Sequence, residues 1–338
     1  MEKGLLSVST ENAINIGDYI QAIAAKQFIN QVDEFVERER LDKYTKGNIK
    51  IIMNGWFMHH PENWPPSKKI HPLFVSFHIN SVSYRELLSI DSCNYLRKFQ
   101  PIGCRDKITR DLLIKKNIDA YFSGCLTLTL GFKYKSKTKK NKSYIVDPYY
   151  LVNKDTVSLL RYLFFMLFHF ILINKLNKKM NKKFTLRNLL KTSCYYMTYR
   201  KVFTKNILVK SEYISQAGQF YKDKIKNNTT RMEFAEELIH KYSEASFVIT
   251  SRIHCALPCL GLETPVLYIE NKQQEKTSKC RLKGLAELLN IIPCDNGKLT
   301  NPFSKKKLCV SNHPENKEQW KILASQLIKK CTAFANQK

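Results

Sequence analysis

Residues 247–269 constrain the fold more than any other stretch of the chain. They read as a short buried strand at 247–250, a polar turn, a short apolar helix that Gly261 can end, and a second strand at 265–269. This order is typical of a parallel sheet in which helices connect neighbouring strands. The segment therefore predicts an α/β unit whose polar turn faces the carboxyl end of the sheet.

Arg252 and His254 lie in this turn, directly after the first strand. Ligands of open α/β sheets bind just outside the carboxyl ends of the strands, where the positive end of the next helix favours an anion. From the tripeptide alone, a surface pair or a satisfied helix cap is the more common interpretation. Together with the strand and the helix around it, the pair predicts an anion-binding site.

The first half of the sequence also alternates strands and helices, which predicts a doubly wound α/β sheet. Asp18 is the predicted N-cap of the first helix. Predicted strands span 4–10, 49–53, 73–78, 101–104 and 120–122, and predicted helices span 18–29, 84–88 and 106–116.

Polar and aromatic side chains follow the predicted strands, so we expect them at one edge of the sheet. The segment from Trp56 to Trp64 carries two tryptophans and two histidines, which suit a sugar, although a packed Pro-rich loop with buried tryptophans is the alternative. Arg105 either faces an anion or pairs with Asp106. The candidate binding residues are Asn15, Gly17, Asn54, Trp56, His78, Arg105, Ser123 and Gly124.

Positive charge is concentrated in the middle of the chain. Residues 133–210 contain 19 Lys and Arg but only two acidic residues, so they carry 17 of the 27 net charges. Within them, the apolar run 162–173 is too short for a helix that crosses a bilayer, which takes about 20 residues. It predicts either an interfacial helix on an anionic membrane or an inter-domain core helix with a solvated lysine flank. Nucleic acid is not expected, because the aromatic residues form one apolar block.

The ten cysteines include no Cys-x-x-Cys pair, so they predict reduced core residues rather than a disulfide framework or a metal site. The first residues lack the apolar region of a secretory signal, which predicts a cytoplasmic protein, peripheral to the inner face of a membrane if the middle segment binds one.

Four motifs in this order resemble the polysaccharide pyruvyl transferase family. They are Asn15-Ile-Gly-Asp18, Ile102-Gly-Cys-Arg105-Asp106, Phe122-Ser-Gly-Cys-Leu-Thr-Leu-Thr-Leu130 and Val248-Ile-Thr-Ser-Arg252-Ile-His254 with the following Gly-x-x-x-Pro-Val. The resemblance spans roughly residues 10–130 and 205–290. The segment 155–205 has no counterpart in it.

The resemblance implies a GT-B-like fold, in which two Rossmann-like domains face each other across a cleft. Residues 1–145 would form the acceptor side and part of the donor site. Residues 146–338 would form the donor side, with the basic, apolar-helical insertion at 155–205 and a C-terminal helix at 316–335. That helix either packs back across the domains or lies independently on the surface.

The resemblance also implies transfer of the enolpyruvyl unit of phosphoenolpyruvate, as co-substrate, to a saccharide, giving a pyruvate ketal and phosphate without a cofactor or metal. The acceptor would be a precursor of a capsule or exopolysaccharide, and lipid-linked if the middle segment lies on a membrane. The motifs place Arg252, His254 and Arg105 at the phosphoenolpyruvate, with Asn15 and Asp18 nearby.

The chemistry of the reaction agrees with these residue types. Two arginines suit the phosphate and the carboxylate of the donor, and His254 is either the acid or a phosphate ligand. The base that takes the proton of the sugar hydroxyl could be Asp18, Asp106 or His78. A glycosyltransferase that uses a nucleotide sugar and a non-catalytic protein that binds a membrane or a polymer are the alternative functions.

Overall fold

The computed structural model describes residues 1–8, 15–217, 221, 225–273 and 280–337. Two six-stranded sheets and the helices around them make up an α/β fold. The helices are α1 Ile16–Lys26, α2 Tyr84–Leu87, α3 Ile90–Arg97, α4 Lys107–Ile114, α5 Gly131–Tyr134, α6 Thr156–Phe168, α7 Phe170–Lys179, α8 Leu186–Tyr199, α9 Lys205–Lys210, α10 Asn228–Glu244, α11 Ile253–Gly261 and α12 Trp320–Asn336.

The first sheet is entirely parallel and has the strand order β2-β1-β3-β4-β5-β6. This confirms the α/β sheet predicted for the first half. Its strands are β1 Glu2–Ser7, β2 Glu34–Glu37, β3 Ile49–Phe57, β4 Ile70–Ile79, β5 Ile102–Cys104 and β6 Ala120–Phe122. Residues 9 and 10 of the first predicted strand lie outside the described residues.

The second sheet has the order β12-β11-β10-β9-β7-β8 and is parallel except for the β11–β12 pair. Its strands are β7 Ser143–Val146, β8 Glu212–Ile214, β9 Phe247–Thr250, β10 Val266–Asn271, β11 Ile291–Asp295 and β12 Lys298–Leu299. Read from β8, this order repeats that of the first sheet. Each sheet therefore has one topological switch point, between β1 and β3 and between β7 and β9, where such folds bind ligands.

Among the sequence-based boundaries that differ from the structure, three concern the site or the division into domains. Asn15, not Asp18, caps α1, because its side chain accepts the N–H of Gly17. The strand predicted to end at Met53 continues to Phe57 past an irregularity between Met53 and Gly55. Residues 143–145, assigned to the N-terminal domain, belong to β7 of the second sheet.

Hydrophobic residues form a cluster shared by the two halves and one further cluster on each sheet. The shared cluster combines α1 and the turn 126–129 with α10, α11 and α12. Its α12 also contacts the first sheet, where the Lys50 ammonium donates to the Phe334 carbonyl at 3.1 Å and Lys330 lies over the Tyr121 ring. The C-terminal helix thus packs back across the molecule instead of belonging to the second sheet alone.

The basic segment 155–205 lies in the crossover that joins β7 to β8. Parallel neighbours need such a crossover, and here it is enlarged to four helices. Met166, Ile173, Leu176 and Tyr195 are buried in the cluster on the second sheet, so part of the segment is core. Among the described residues no single helix can cross a bilayer by length and composition. Only α6 and α7 together pass that test, and they are bent by 100°.

Candidate active site

A cavity of about 850 Å³ opens where carboxyl ends of strands from both sheets meet. Its lining includes Val8 after β1, Trp56 in β3, Asp147 after β7 and Arg252 after β9. These strands flank the switch points of the two sheets, where crossovers leave in opposite directions and open a crevice. The fold therefore brings both predicted ligand-facing edges to one space.

Arg252 occupies the N-cap position of α11 with extended backbone angles. Its Nε donates to Asp147 Oδ2 at 2.9 Å, and its N–H donates to Thr250 Oγ1 at 2.9 Å. Ser251 Oγ donates to the Asp147 carbonyl, which ties the ends of β7 and β9 together. The guanidinium is 45% exposed, so this surface-type ion pair leaves Arg252 available to a bound anion.

His254 lies one residue into α11 and is 9% exposed. Its carbonyl accepts a hydrogen bond from Gln216 Nε2 at 3.1 Å, whereas its own Nε2 is buried without a hydrogen-bond partner. A buried polar atom without a partner is costly and typical of a ligand site. His254 is thus held in place through its backbone, and its ring is free to bind a ligand.

Arg105 follows β5 and is 3% exposed. Its N–H donates to the Phe77 carbonyl, and its Nη1 reaches Gln21 Oε1 at 3.4 Å, whereas its Nε has no partner. The pairing with Asp106 that the sequence left open is not formed: Asp106 caps α4 by accepting the Thr109 N–H. Arg105 is therefore a buried cation whose charge is available to an anion in the cavity.

Arg281 is a cavity residue that the sequence interpretation missed. It lies in the 3-10 turn Cys280–Leu282, and its Nε is also buried without a partner. Neither Arg105 nor Arg281 forms an ion pair with a carboxylate of the described residues. The run of basic residues around Arg281 resembles a solvated surface segment, so no local signal in the sequence marks it.

His78 and Asp106 form a fully buried pair beside these arginines. His78 Nδ1 and Asp106 Oδ2 are 2.6 Å apart, and both side chains are 0% exposed. Asp106 also accepts the Thr109 N–H and hydroxyl, so its oxygens are fully used. The pair supports the floor of the site, and neither residue lines the cavity.

The arginines keep both histidines uncharged. Burial, and after it the positive charges of Arg105, Arg281 and Arg252, hold the pKa of His254 well below its ordinary value of 6.5. Burial and Arg105 lower the pKa of His78 to about 4, against the opposing effect of Asp106. In the free protein His254 is therefore a neutral imidazole near neutral pH, and a bound anion would raise its pKa.

A chain of polar side chains connects the N-terminus of α1 to Arg105. Asn15 Nδ2 donates to Asp18 Oδ2 at 3.4 Å, and Gln21 Nε2 donates to Asp18 Oδ1 at 3.1 Å. Asn15 and Asp18 line the cavity, whereas Asn54 lies behind α1 and donates to the Gln21 carbonyl. The carboxylate of Asp18 is thus placed at the cavity wall, close to the arginines.

The two tryptophans of the predicted sugar segment have different environments. Trp56 lines the cavity, with Arg38 over its ring and His59 beside it. Trp64 is 8% exposed and packs against Phe57 and Phe77 in the core of the first sheet. The sugar interpretation stays open for Trp56, and the packed-loop alternative describes Trp64.

Ser123 and Gly124 support the backbone around the site. The Ser123 hydroxyl donates to the Cys104 carbonyl and accepts the Ser76 N–H. Gly124 has a φ of 70°, and a Cβ there would lie 3.1 Å from Leu323 of α12. These two candidates fix the end of β6 and do not belong to the described cavity lining.

The basic crossover also contributes to the wall of the cavity. Met180, Asn181 and Lys182, which follow α7, belong to the lining. The Lys182 ammonium donates to the Tyr150 hydroxyl at 2.9 Å, and burial, aided by Lys191, lowers its pKa to about 8. A polar, aromatic wall of this kind suits a ligand with hydroxyl groups and negative charge.

Eight of the ten cysteines are buried and form no disulfide, as predicted. Within the described ranges no group of three or more His, Cys, Asp or Glu side chains could hold a metal ion. Three of the four Lys and Arg side chains in the described cavity lining are arginines, whose guanidinium groups bind phosphate and carboxylate in bidentate fashion.

Comparisons with known proteins identify the family. The model of the family described as polysaccharide pyruvyl transferase matches residues 15–273. No curated protein matches the sequence significantly. A solved structure of an uncharacterized protein from Klebsiella pneumoniae subsp. pneumoniae aligns over 83% of this chain and 87% of that chain, at 14% identity and a TM-score of 0.41. The family match covers more than half of the sequence, so the chain belongs to the polysaccharide pyruvyl transferase family.

Proposed function

We propose that the cavity transfers the enolpyruvyl unit of phosphoenolpyruvate to two hydroxyl groups of a saccharide and releases phosphate. The observation that carries this proposal is the set of buried nitrogens without partners on Arg105, Arg281 and His254, at one end of the cavity. Three such nitrogens, with neither guanidinium group in an ion pair with a carboxylate of the described residues, suit a small ligand with several negative charges.

Phosphoenolpyruvate presents two anions, a phosphate and a carboxylate. Arg105, which is buried, and Arg281, whose Nε is buried, would bind one or both through their guanidinium groups. Arg252 would exchange its half-exposed contact with Asp147 for the second anion. The free energy lost in that exchange is small, since exposed ion pairs contribute only about 0.2–1 kcal/mol.

His254 would start as a neutral imidazole that hydrogen-bonds the phosphate. The negative charge of the donor offsets the arginines that lower the pKa of the ring, so His254 takes up a proton as the donor binds. The imidazolium can then give this proton to the departing phosphate or to the methylene carbon. Binding of the donor thus creates the acid that the reaction needs.

Asp18 is the base that we assign for the sugar hydroxyl. Of the three residues left open by the sequence, it alone lines the described cavity, because His78 and Asp106 are buried against each other. Trp56, Tyr150 and Lys182, which also line the cavity, would hold the saccharide. Aromatic faces and single cations are suitable partners for sugar rings and hydroxyls.

The steps balance without a cofactor. Protonation of the methylene carbon makes the central carbon cation-like, and the first hydroxyl adds to it while its proton passes to Asp18. The bond from that carbon to the phosphate oxygen then breaks, and phosphate leaves. The second hydroxyl adds and gives its proton to the departed phosphate, and the proton on Asp18 replaces the one that His254 delivered to the methylene carbon, so the product is a cyclic ketal that contains one pyruvate unit.

A GT-B-like arrangement is part of this proposal. The repeated strand order and a cavity lined from the carboxyl ends of both sheets support it. Both halves would contribute to both substrates: Arg105 of the first half would contact the donor, and Tyr150 and Lys182 of the second half would contact the saccharide, with α12 crossing between the halves. The acceptor that we propose is a precursor of a surface polysaccharide, in keeping with the family.

Thermal unfolding with candidate donors tests the assignment before any acceptor is known. Phosphoenolpyruvate should raise the unfolding temperature of the wild type and of Arg85→Ala, an exposed arginine outside the cavity lining, but not of Arg281→Ala. Stabilisation by nucleotide sugars instead would favour a glycosyltransferase. If neither donor stabilises the protein, the proposed donor site is wrong.

A further inference from the structure

Half of the exposed large apolar side chains in the described residues lie within 30 positions of the chain. Ten of twenty fall between Val157 and Leu186, in and around α6 and α7. Exposed apolar residues scattered singly are ordinary, but a contiguous group on a soluble surface marks an interaction site. These ten side chains are not buried in the core of the second sheet, and none of them lines the cavity.

Helix α6 is apolar on two opposite faces. Its inner face, with Tyr162 and Met166, is buried, and Phe165 lies against Tyr196 of α8. Its outer face repeats apolar residues at intervals of three and four positions, which places them in one stripe. We call this stripe and the adjoining bend the α6–α7 tip; it consists of Val157, Leu160, Phe164, Leu167, Phe168 and Ile171.

The bend between the two helices makes the tip protrude. The helix axes differ by 100° at His169, and the residues on either side, Phe168 and Ile171, are 82% and 86% exposed. While exposed, these large side chains contribute nothing to the stability of the fold, whereas removal of apolar surface from water contributes about 25 cal/mol for each Å². A partner that covers the tip recovers this free energy.

Basic side chains surround the tip. Arg161 lies on the outer face of α6, while Lys175 and Lys178 follow Ile171 by four and seven positions on the exposed side of α7. No acidic residue occurs in the sequence between Asp155 and Glu212. A second copy of the chain would bring two such positive surfaces together, whereas an anionic bilayer is complementary in both charge and polarity.

We propose that the α6–α7 tip binds the surface of an anionic bilayer. The apolar side chains enter the headgroup region, and the lysines and Arg161 contact the lipid headgroups, as in interfacial helices. The tip does not cross the bilayer, because the two helices are sharply bent and α7 continues into the protein core through Ile173 and Leu176.

Helix α7 connects this surface to the cavity. It begins next to Phe168 and ends at Lys179, just before Met180, Asn181 and Lys182 of the cavity wall. Ten residues of helix span about 15 Å. A membrane at the tip would thus lie close to the cavity mouth; presentation of a lipid-linked acceptor there rests on the proposed function, whereas membrane binding does not.

Co-sedimentation with vesicles tests the proposal without donor or acceptor, so its result is independent of transferase activity. We expect the wild type to bind vesicles of phosphatidylcholine with phosphatidylglycerol more tightly than phosphatidylcholine alone. Phe168→Ser with Ile171→Ser should weaken binding about tenfold or more at all salt concentrations. The matched control is Val82→Ser with Ile90→Ser, at residues 69% and 80% exposed outside the tip, which should bind like the wild type.

A second variant separates charge from apolar insertion. Lys175→Ala with Lys178→Ala should weaken binding about fivefold for each lysine at low salt and have little effect at high salt. Thermal unfolding of every variant checks that the fold is unchanged. The proposal is overturned if the wild type does not bind anionic vesicles at low salt, or if the Phe168 and Ile171 variant binds them as tightly as the wild type. It is also overturned if the wild type forms a dimer that binds no vesicles and the Phe168 and Ile171 variant is a monomer.

Discussion

Gly17 and His254 are in direct contact although 237 positions separate them in the sequence. A Cβ built on Gly17 would lie 2.9 Å from both Cβ and Nδ1 of His254. This is closer than non-bonded atoms come, so the start of α1 fits against the imidazole only because residue 17 lacks a side chain. The first half of the chain thereby fixes the position of a ring that the second half supplies.

Gly17→Ala is expected to displace His254 and reduce kcat/KM about ten- to hundredfold, because small shifts of a catalytic group have effects of that size. Steady-state kinetics with phosphoenolpyruvate and an accepted saccharide measure this. Overpacking should also lower the free energy of unfolding by about 1–3 kcal/mol.

Gly47→Ala is the matched control, since a Cβ there meets only Glu2 at an ordinary 3.6 Å. It should leave activity unchanged. Wild-type activity of Gly17→Ala would show that the contact with His254 has no catalytic role.

Donor binding should be accompanied by proton uptake on His254. Burial, and after it the arginines, hold the pKa of the free imidazole well below 6.5, and a bound anion raises it, so we expect the complex to hold more protons than the free protein. Calorimetry in buffers of different ionisation enthalpy counts these protons. His254→Gln should take up fewer protons than the wild type; equal uptake in both proteins would assign the proton to another group.

Trp56 and Trp64 should respond differently to replacement. Trp56→Ala is expected to raise the KM for the saccharide about tenfold with little change in stability, because the ring lines the cavity. Trp64→Ala should lower the free energy of unfolding by about 3–5 kcal/mol, because its ring is packed among core aromatics. Kinetics and chemical unfolding of both variants check this, and a reversed pattern would contradict the assignment.

The sequence predicted the parts of the site that local pattern determines. β9 runs from Phe247 to Thr250 as predicted, because its apolar, β-branched residues have no competing interpretation, and Arg252 and His254 follow it directly. Arg105 could be placed at a strand end for the same reason. The predicted end of β3 at Met53 was wrong. A polar residue followed by a glycine usually ends a strand, whereas here the Asn54 side chain donates to the Gln21 carbonyl and β3 continues.

Contacts between distant segments could not be predicted from one sequence. Arg281 enters the cavity from a basic run that resembles solvated surface, and only the fold brings it near His254. The same is true of Asp147, whose contact with Arg252 joins two strands that are neighbours only in the sheet. The double role of the segment 155–205, partly core and partly exposed apolar surface, also depends on which helix faces pack.

Acid should destabilise the free protein through His78. Its pKa is about 4 in the folded protein against an ordinary 6.5, so the unfolded chain binds more protons between these values. Stability from this group is present above pH 6.5 and is lost as the pH falls towards 4, by an amount on the order of 3 kcal/mol.

Chemical unfolding at pH 7 and pH 4.5 measures this loss. His78→Asn keeps a donor for Asp106 but does not titrate, so its stability should depend less on pH over this range. An identical pH dependence of the two proteins would rule out His78 as the source.

The most direct test of the central claim is incubation of the protein with phosphoenolpyruvate and a panel of lipid-linked and free saccharides, with phosphate release and product mass measured together. The account predicts one phosphate released for each pyruvate ketal formed, at a rate that Arg85→Ala leaves unchanged and that Arg281→Ala or His254→Ala reduces by at least a hundredfold. Ketal formation at the wild-type rate by Arg281→Ala and His254→Ala would contradict it.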